Sequence, residues 1–117
     1  MVGFVGTRNQ ARAKDFYQDV LGLKLVSEDQ FATIFDANGT TLRVTPVREL
    51  APAQYTVLGW EVADISATVA GMTRAGVKFE QYGFPTQDAQ GTWSAPGGAK
   101  IAWFKDPDGN ILSVAQH

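Results

Sequence analysis

The chain carries one hairpin pattern twice. Phe31-Ala-Thr-Ile-Phe-Asp-Ala-Asn-Gly-Thr-Thr-Leu-Arg-Val44 and Ile101-Ala-Trp-Phe-Lys-Asp-Pro-Asp-Gly-Asn-Ile-Leu-Ser-Val114 both place a turn between apolar runs. Asp36-Ala37-Asn38-Gly39 lies over Asp106-Pro107-Asp108-Gly109, and Leu42-Arg43-Val44 over Leu112-Ser113-Val114. Asp folds its side chain onto the local backbone, Pro107 presets one turn angle, and glycine takes the left-handed conformation that other residues resist. Each stretch therefore predicts two antiparallel strands joined by a turn.

Upstream of each hairpin the order also repeats. Met1 to Gly6 reads as a strand, and Asn9 as the N-cap of a helix whose apolar stripe is Ala13, Phe16, Tyr17, Val20 and Leu21. Gly22 ends that helix, and Leu23 to Val26 forms a strand. The first hairpin follows at about 31–47, then a proline-bearing connector at 48–54. Thr56 to Ala63 alternates as a half-buried strand, with Leu58, Trp60 and Val62 on the core side. Asp64 caps a second helix carrying Ile65, Val69 and Met72, which stops at Gly76, and Gly76-Val-Lys-Phe79 matches Gly22-Leu-Lys-Leu25. Val2 to Val57 and Gly22 to Gly76 are nearly equal offsets, whereas Asp36 to Asp106 is longer by about 16 residues. The second copy thus holds a long loop between Gln81 and Lys100, rich in Gly and Pro and bearing Trp93. Such a loop is either functional or a mobile excursion. Each copy reads strand, helix, strand, strand, strand, an α+β pattern.

At 117 residues the chain has room for one core, so a single domain over 1–117 is expected, with module one at 1–50 and module two at 55–117. A net charge of −2 offers nothing to nucleic acid, and no apolar run is long enough for a membrane span. The start lacks a basic stretch, so no secretory signal is expected, and a cytoplasmic protein is the default. Without cysteine there are no disulfides or thiolate metal sites. The one histidine, His117, reads as a solvated tail.

Two βαβββ copies, with a terminal Phe-Lys-Asp-Pro-Asp-Gly-Asn hairpin in the second, resemble the vicinal oxygen chelate superfamily of glyoxalases, bleomycin- and fosfomycin-resistance proteins and extradiol dioxygenases. Asp15-Phe-Tyr-Gln-Asp-Val-Leu-Gly-Leu23 and Gly59-Trp-Glu-Val-Ala-Asp64 resemble phrases of that family. The resemblance implies two curved mixed sheets around a shared cleft, with helices outside. It also implies metal-ligand positions on the first and last strands of each module, which here fall on Val2, Arg43, Val57 and Ser113. Valine has no donor pair, arginine repels a cation and a lone serine is a poor ligand, so no metal and no cofactor are expected.

The strand faces opposite the apolar ones mix apolar, small and polar residues. That composition suits either a small-molecule pocket or a solvent-facing sheet. The candidate ligand-binding residues are Phe4, Arg43, Val57, Glu61, Trp93, Trp103 and Ser113, with none assigned to catalysis. Phe4, Arg43, Val57, Glu61 and Ser113 are expected to border one cavity, with Trp93 near its mouth. Arg43 suits a carboxylate, a phosphate or a planar ring, or else pairs with Glu61. Glu61 is a general base only if burial raises its pKa, and otherwise a solvated carboxylate. Trp93 either closes over a ligand or anchors its loop, Trp60 belongs to the core, and the pattern does not set the face of Trp103. Asp106, Asp108 and Asn110 lack the rest of a calcium loop, and no helix start with lysine and serine follows Gly97-Gly98.

With its ligands missing, the resemblance implies a metal-independent small-molecule binding protein of the bleomycin-resistance type. Such a protein holds an aromatic or charged compound between its modules, commonly as a homodimer. The alternatives are a lyase, isomerase or oxygenase of the same fold, and a structural or regulatory module with no ligand.

Overall fold

The computed structural model describes residues 1–117. They form two compact units, Met1–Pro52 with Asp106–Asn110, and Ala53–Lys105 with Ile111–His117. Each unit holds one four-stranded mixed sheet, which is the expected α+β architecture of two modules.

The first unit contains β1 (Val2–Thr7), α1 (Gln10–Asp15), a π-helical turn (Phe16–Val20), β2 (Lys24–Glu28), β3 (Thr33–Ala37) and β4 (Thr40–Pro46), with sheet order β1-β4-β3-β2. β1 runs parallel to β4 because the helix carries the chain back across the sheet; the other pairs are antiparallel. The Asn9 side chain accepts from Arg12 N at 3.1 Å and starts the helix. Val5, Ala13, Tyr17, Phe35, Leu42 and Val44 form the core. The helical stripe read from the sequence slips, however. Leu21 N donates to Phe16 O five residues back, so the last turn is wider than an α-turn. Ala13 and Tyr17 stay buried, while Phe16, Val20 and Leu21 rotate to half-buried positions.

The turn 106–110 belongs to this first unit although its flanking strands belong to the second. Its polar groups explain why. The buried Tyr17 hydroxyl donates to Asp106 Oδ2 at 2.7 Å, and Asn110 Nδ2 donates to Asp106 Oδ2 at 2.8 Å and to Gly6 O at 3.0 Å. Asp106 Oδ1 accepts from the backbone of Asp108 and Asn110, both at 2.9 Å. Asp108 accepts from Arg8 N at 2.8 Å and from the Thr7 hydroxyl. Every buried polar group in this cluster has a partner, as burial requires.

The two hairpin turns differ more than their sequences suggest. In the first, Ala37 pairs with Thr40 and only Asn38 (φ 53) and Gly39 (φ 96) bridge the strands. Two positive φ values in a two-residue loop match the right-handed twist of the strands. In the second, Lys105 pairs with Ile111 across the loop Asp106–Asn110, and Gly109 takes φ 89.

The second unit contains β5 (Thr56–Glu61), α2 (Ile65–Arg74), β6 (Thr92–Ser94), β7 (Lys100–Lys105) and β8 (Ile111–Gln116), in the order β5-β8-β7-β6. Asp64 caps α2 through Ala67 N at 3.1 Å, and Gly76 leaves the helix at φ 102. Ile65 and Val69 of α2 bury against β7 and β8, where Ala102, Phe104, Leu112 and Val114 are closed from solvent.

Two expectations need correction here. The segment 77–79 makes no strand; only Phe79 bridges to Phe104, and the fourth strand, β6, comes from the inserted loop. Trp60 is half-buried rather than core, because β5 is the edge strand and α2 sits over β7 and β8. No helix is long and apolar enough to cross a membrane.

Candidate functional site

Alternation along β8 sends Leu112 and Val114 under α2 and Ile111, Ser113 and Ala115 to the face turned away from α2, where Ser113 is buried. Ladder partners carry that face across the strands. Ser113 pairs with Gly59 and with Trp103, Ala115 pairs with Glu61 and with Ile101, and Ile101 pairs with Trp93. This settles the face of Trp103. It also exposes a flaw in simple alternation, because β5 bulges at Val57: pairing steps from Thr56↔Ile111 to Leu58↔Leu112. Thr56 therefore shares with Ile111 the face turned away from α2, and Val57 has no ladder partner.

The inserted loop lays two more rings beside the tryptophans. Tyr82 and Trp103 have centroids 5.5 Å apart, Phe84 and Trp93 5.5 Å, Phe84 and Trp103 6.0 Å, and Trp93 and Trp103 5.9 Å. These separations are those of favourable tilted and edge-to-face pairs. Tyr82 remains 45% exposed and Phe84 41%, so the cluster is an open surface and not a closed core. Tyr55, Thr56, Tyr82, Phe84, Trp103 and Ile111 border a shallow pocket of about 250 Å³. Partial burial, and next the charge of Glu80, push the Tyr82 hydroxyl above its ordinary pKa, while Lys105 opposes them. Glu80 is itself held by Lys105 at 3.3 Å.

Of the residues singled out in the sequence, Trp103 lines this pocket and Trp93 joins its ring cluster. Val57, Glu61 and Ser113 share the unit but do not line the pocket. Ser113 Oγ would lie 2.9 Å from a Cβ placed on Gly59, so the glycine is what leaves the hydroxyl its room. Glu61 Oε2 lies 2.8 Å from Nδ1 of His117, and both side chains are largely exposed. His117 is accordingly a terminal residue with a partner. In the first unit, Phe4 and Arg43 are ladder neighbours, as are Arg43 and Ile34. Phe4 is 66% exposed, and Arg43 is half-buried without an ion pair.

Tyr55, Tyr82 and Phe84 were missed in the sequence. Their signal was there: three large rings in segments with no strand or helix period have no core to enter, and such rings gather on a surface.

A divalent metal does not fit this donor set. The family positions hold Val2, Arg43, Val57 and Ser113, and nowhere do three or more His, Cys, Asp or Glu side chains gather. Glu61 and His117 supply two donors, short of the three or four a tight site needs.

Comparison with known proteins agrees with the fold. A lactoylglutathione lyase from Agrobacterium tumefaciens superposes with a TM-score of 0.78 at 17% identity, covering 99% of this chain and 91% of that one. A glyoxalase/bleomycin resistance protein/dioxygenase superfamily member from Sphaerobacter thermophilus gives 0.76 at 23% identity, over 100% and 97% of the two chains. A glyoxalase family protein from Enterococcus faecalis gives 0.74 at 18%, over 98% and 93%. A comparison with curated proteins found no match. The family model described as Glyoxalase/Bleomycin resistance protein/Dioxygenase superfamily matches residues 3–114, and with two βαβββ modules behind that match, the chain belongs to this superfamily.

Proposed function

We propose that the protein is a metal-independent small-molecule binder of the bleomycin-resistance type, and that a flat aromatic compound docks on the ring cluster of the second unit. The observation that carries this reading is the open group Tyr82, Phe84, Trp93 and Trp103 beside a pocket of about 250 Å³. Rigid rings offer large contact area at low entropic cost, and a pocket of this size takes one ring system rather than a whole large molecule. Ring faces also attract cations, which fits a net charge of −2. The missing metal ligands set this reading apart from lyase or oxygenase chemistry. A second copy could cover the exposed Val2 and Phe4 of edge strand β1, so a homodimer is part of the proposal. Sedimentation showing only a 12.7 kDa species at micromolar concentration would remove that part.

The test is a fluorescence titration with 9-aminoacridine, a planar aromatic cation, against a neutral aromatic of the same size. Saturable tryptophan quenching is expected, weakened about tenfold in Trp103→Ala. Quenching that fails to saturate, or that Trp103→Ala leaves unchanged, overturns the reading.

A further inference from the structure

A second concavity lies on the other side of the second unit, where the C-terminal half of α2 meets the inserted loop. Its volume is about 620 Å³, within the range of small-molecule sites. The helix supplies Ala70 and Thr73, the segment after it Val77, Lys78 and Phe79, and the loop Gln90.

The loop wall is built rather than loose. Gln87 Nε2 donates to Glu80 O at 2.7 Å and to Gly91 O at 2.9 Å, closing the loop on itself. Asp88 Oδ1 accepts from Gln90 N at 2.9 Å and from Thr92 N at 3.0 Å. Gly91, at φ +94, presses so close to Phe79 that a Cβ there would sit 2.9 Å from the Phe79 Cβ. No residue with a side chain brings the wall this near.

The lining has an apolar floor and a polar rim without a single carboxylate. Lys78 makes no ion pair, and Arg74 stands exposed at the end of α2. Of the nearby acids, Asp88 engages Oδ1 with two backbone donors and Glu80 is paired with Lys105 at 3.3 Å. Thr92, whose side chain faces α2 through its pairing with buried Ala102, keeps a buried hydroxyl with no partner. An apolar trough with an unmatched cation at its edge selects an anion with a hydrocarbon body.

We propose that this groove is a separate small-molecule site for a short aliphatic carboxylate, its chain on Ala70, Val77 and Phe79 and its carboxylate at Lys78. The site is independent of the ring cluster and neither stands nor falls with it.

The test is a ¹⁵N chemical-shift titration of the full chain with sodium octanoate, repeated with 1-octanol. Saturable shifts are expected at the amides of Val77, Phe79 and Gln90 while the Trp103 indole stays still. Lys78→Ala, an exposed change that leaves the fold intact, should weaken octanoate about three- to tenfold, and octanol should bind more weakly by a similar factor. Shifts confined to Trp93 and Trp103, no saturation at millimolar octanoate, or affinity indifferent to both Lys78→Ala and loss of the charge would each overturn the proposal.

Discussion

The two units start from one pattern and solve its turns, edges and faces differently. At the first hairpin, Asp36 makes a single bond, Oδ1 accepting from Gly39 N at 2.8 Å, at the surface. At the second, the matching Asp106 is 5% exposed and both its oxygens are engaged, by the Tyr17 hydroxyl, the Asn110 amide and two backbone N–H groups. The same residue type at the same place in the repeat is a local turn-former in one copy and the centre of a buried network in the other. What separates them is the surroundings, because a carboxylate in a dry setting leaves every donor around it stranded when it is lost.

Replacing these two aspartates should break the comparison most sharply. Asp106→Ala strands several buried donors and should cost about 3–5 kcal/mol, whereas Asp36→Ala should cost about 0.5–1 kcal/mol. Urea denaturation of both variants reads the difference, and equal losses would show that the network adds nothing to the turn.

A pH series sharpens the same contrast. The Tyr17 hydroxyl is driven far above its ordinary value of 10.0, first by burial and then by the charge of Asp106 and their hydrogen bond. Above pH 10 the unfolded chain releases this proton and the folded chain retains it. Stability is therefore whole below about pH 10 and falls by about 1.4 kcal/mol per unit above it. Tyr17→Phe should flatten that slope. The corresponding stretch of α2 carries Gly71 and Met72, so no buried tyrosine–carboxylate pair repeats at this place in the second unit.

The sheet faces turned away from the helices give a smaller effect. Phe4 beside Arg43 and Gly59 beside Ser113 are matched positions of the two repeats. One carries a full ring; the other has no room for a methyl without moving Ser113 Oγ, 2.9 Å away. Gly59→Ala should cost about 1–2 kcal/mol, and adding Ser113→Ala should return most of it. A double variant as unstable as the single one would place the strain elsewhere. The smallest effect belongs to the surface ion pairs, Lys14–Glu28 at 3.1 Å in one unit and Lys105–Glu80 at 3.3 Å in the other. Neutralising Glu28 or Glu80 to Gln should shift stability by less than about 0.5 kcal/mol in either unit, judged by thermal midpoints.

The amino-acid sequence by itself determined the duplication, the caps at Asn9 and Asp64, the helix ends at Gly22 and Gly76, and the strand faces of Leu42, Val44, Leu112 and Val114. These are local matters, set by side-chain period, capping chemistry and glycine's freedom at positive φ. Once the family's ligand positions fall on Val2, Arg43, Val57 and Ser113, the residue types there also decide that they are no adequate donor set. Tertiary structure decided the rest. The bulge at Val57 changed which residues of β5 share a face, because one extra residue in a strand reverses the alternation beyond it. The wide turn at Phe16–Val20 moved a stripe that a 3.6-residue period had drawn. The inserted loop supplied a strand and two rings, Tyr82 and Phe84, whose partners Trp93 and Trp103 lie some ten to twenty residues along the chain. No period in a sequence records such a meeting, because the rings come together only when β6 and β7 pair and the loop between them and α2 has closed.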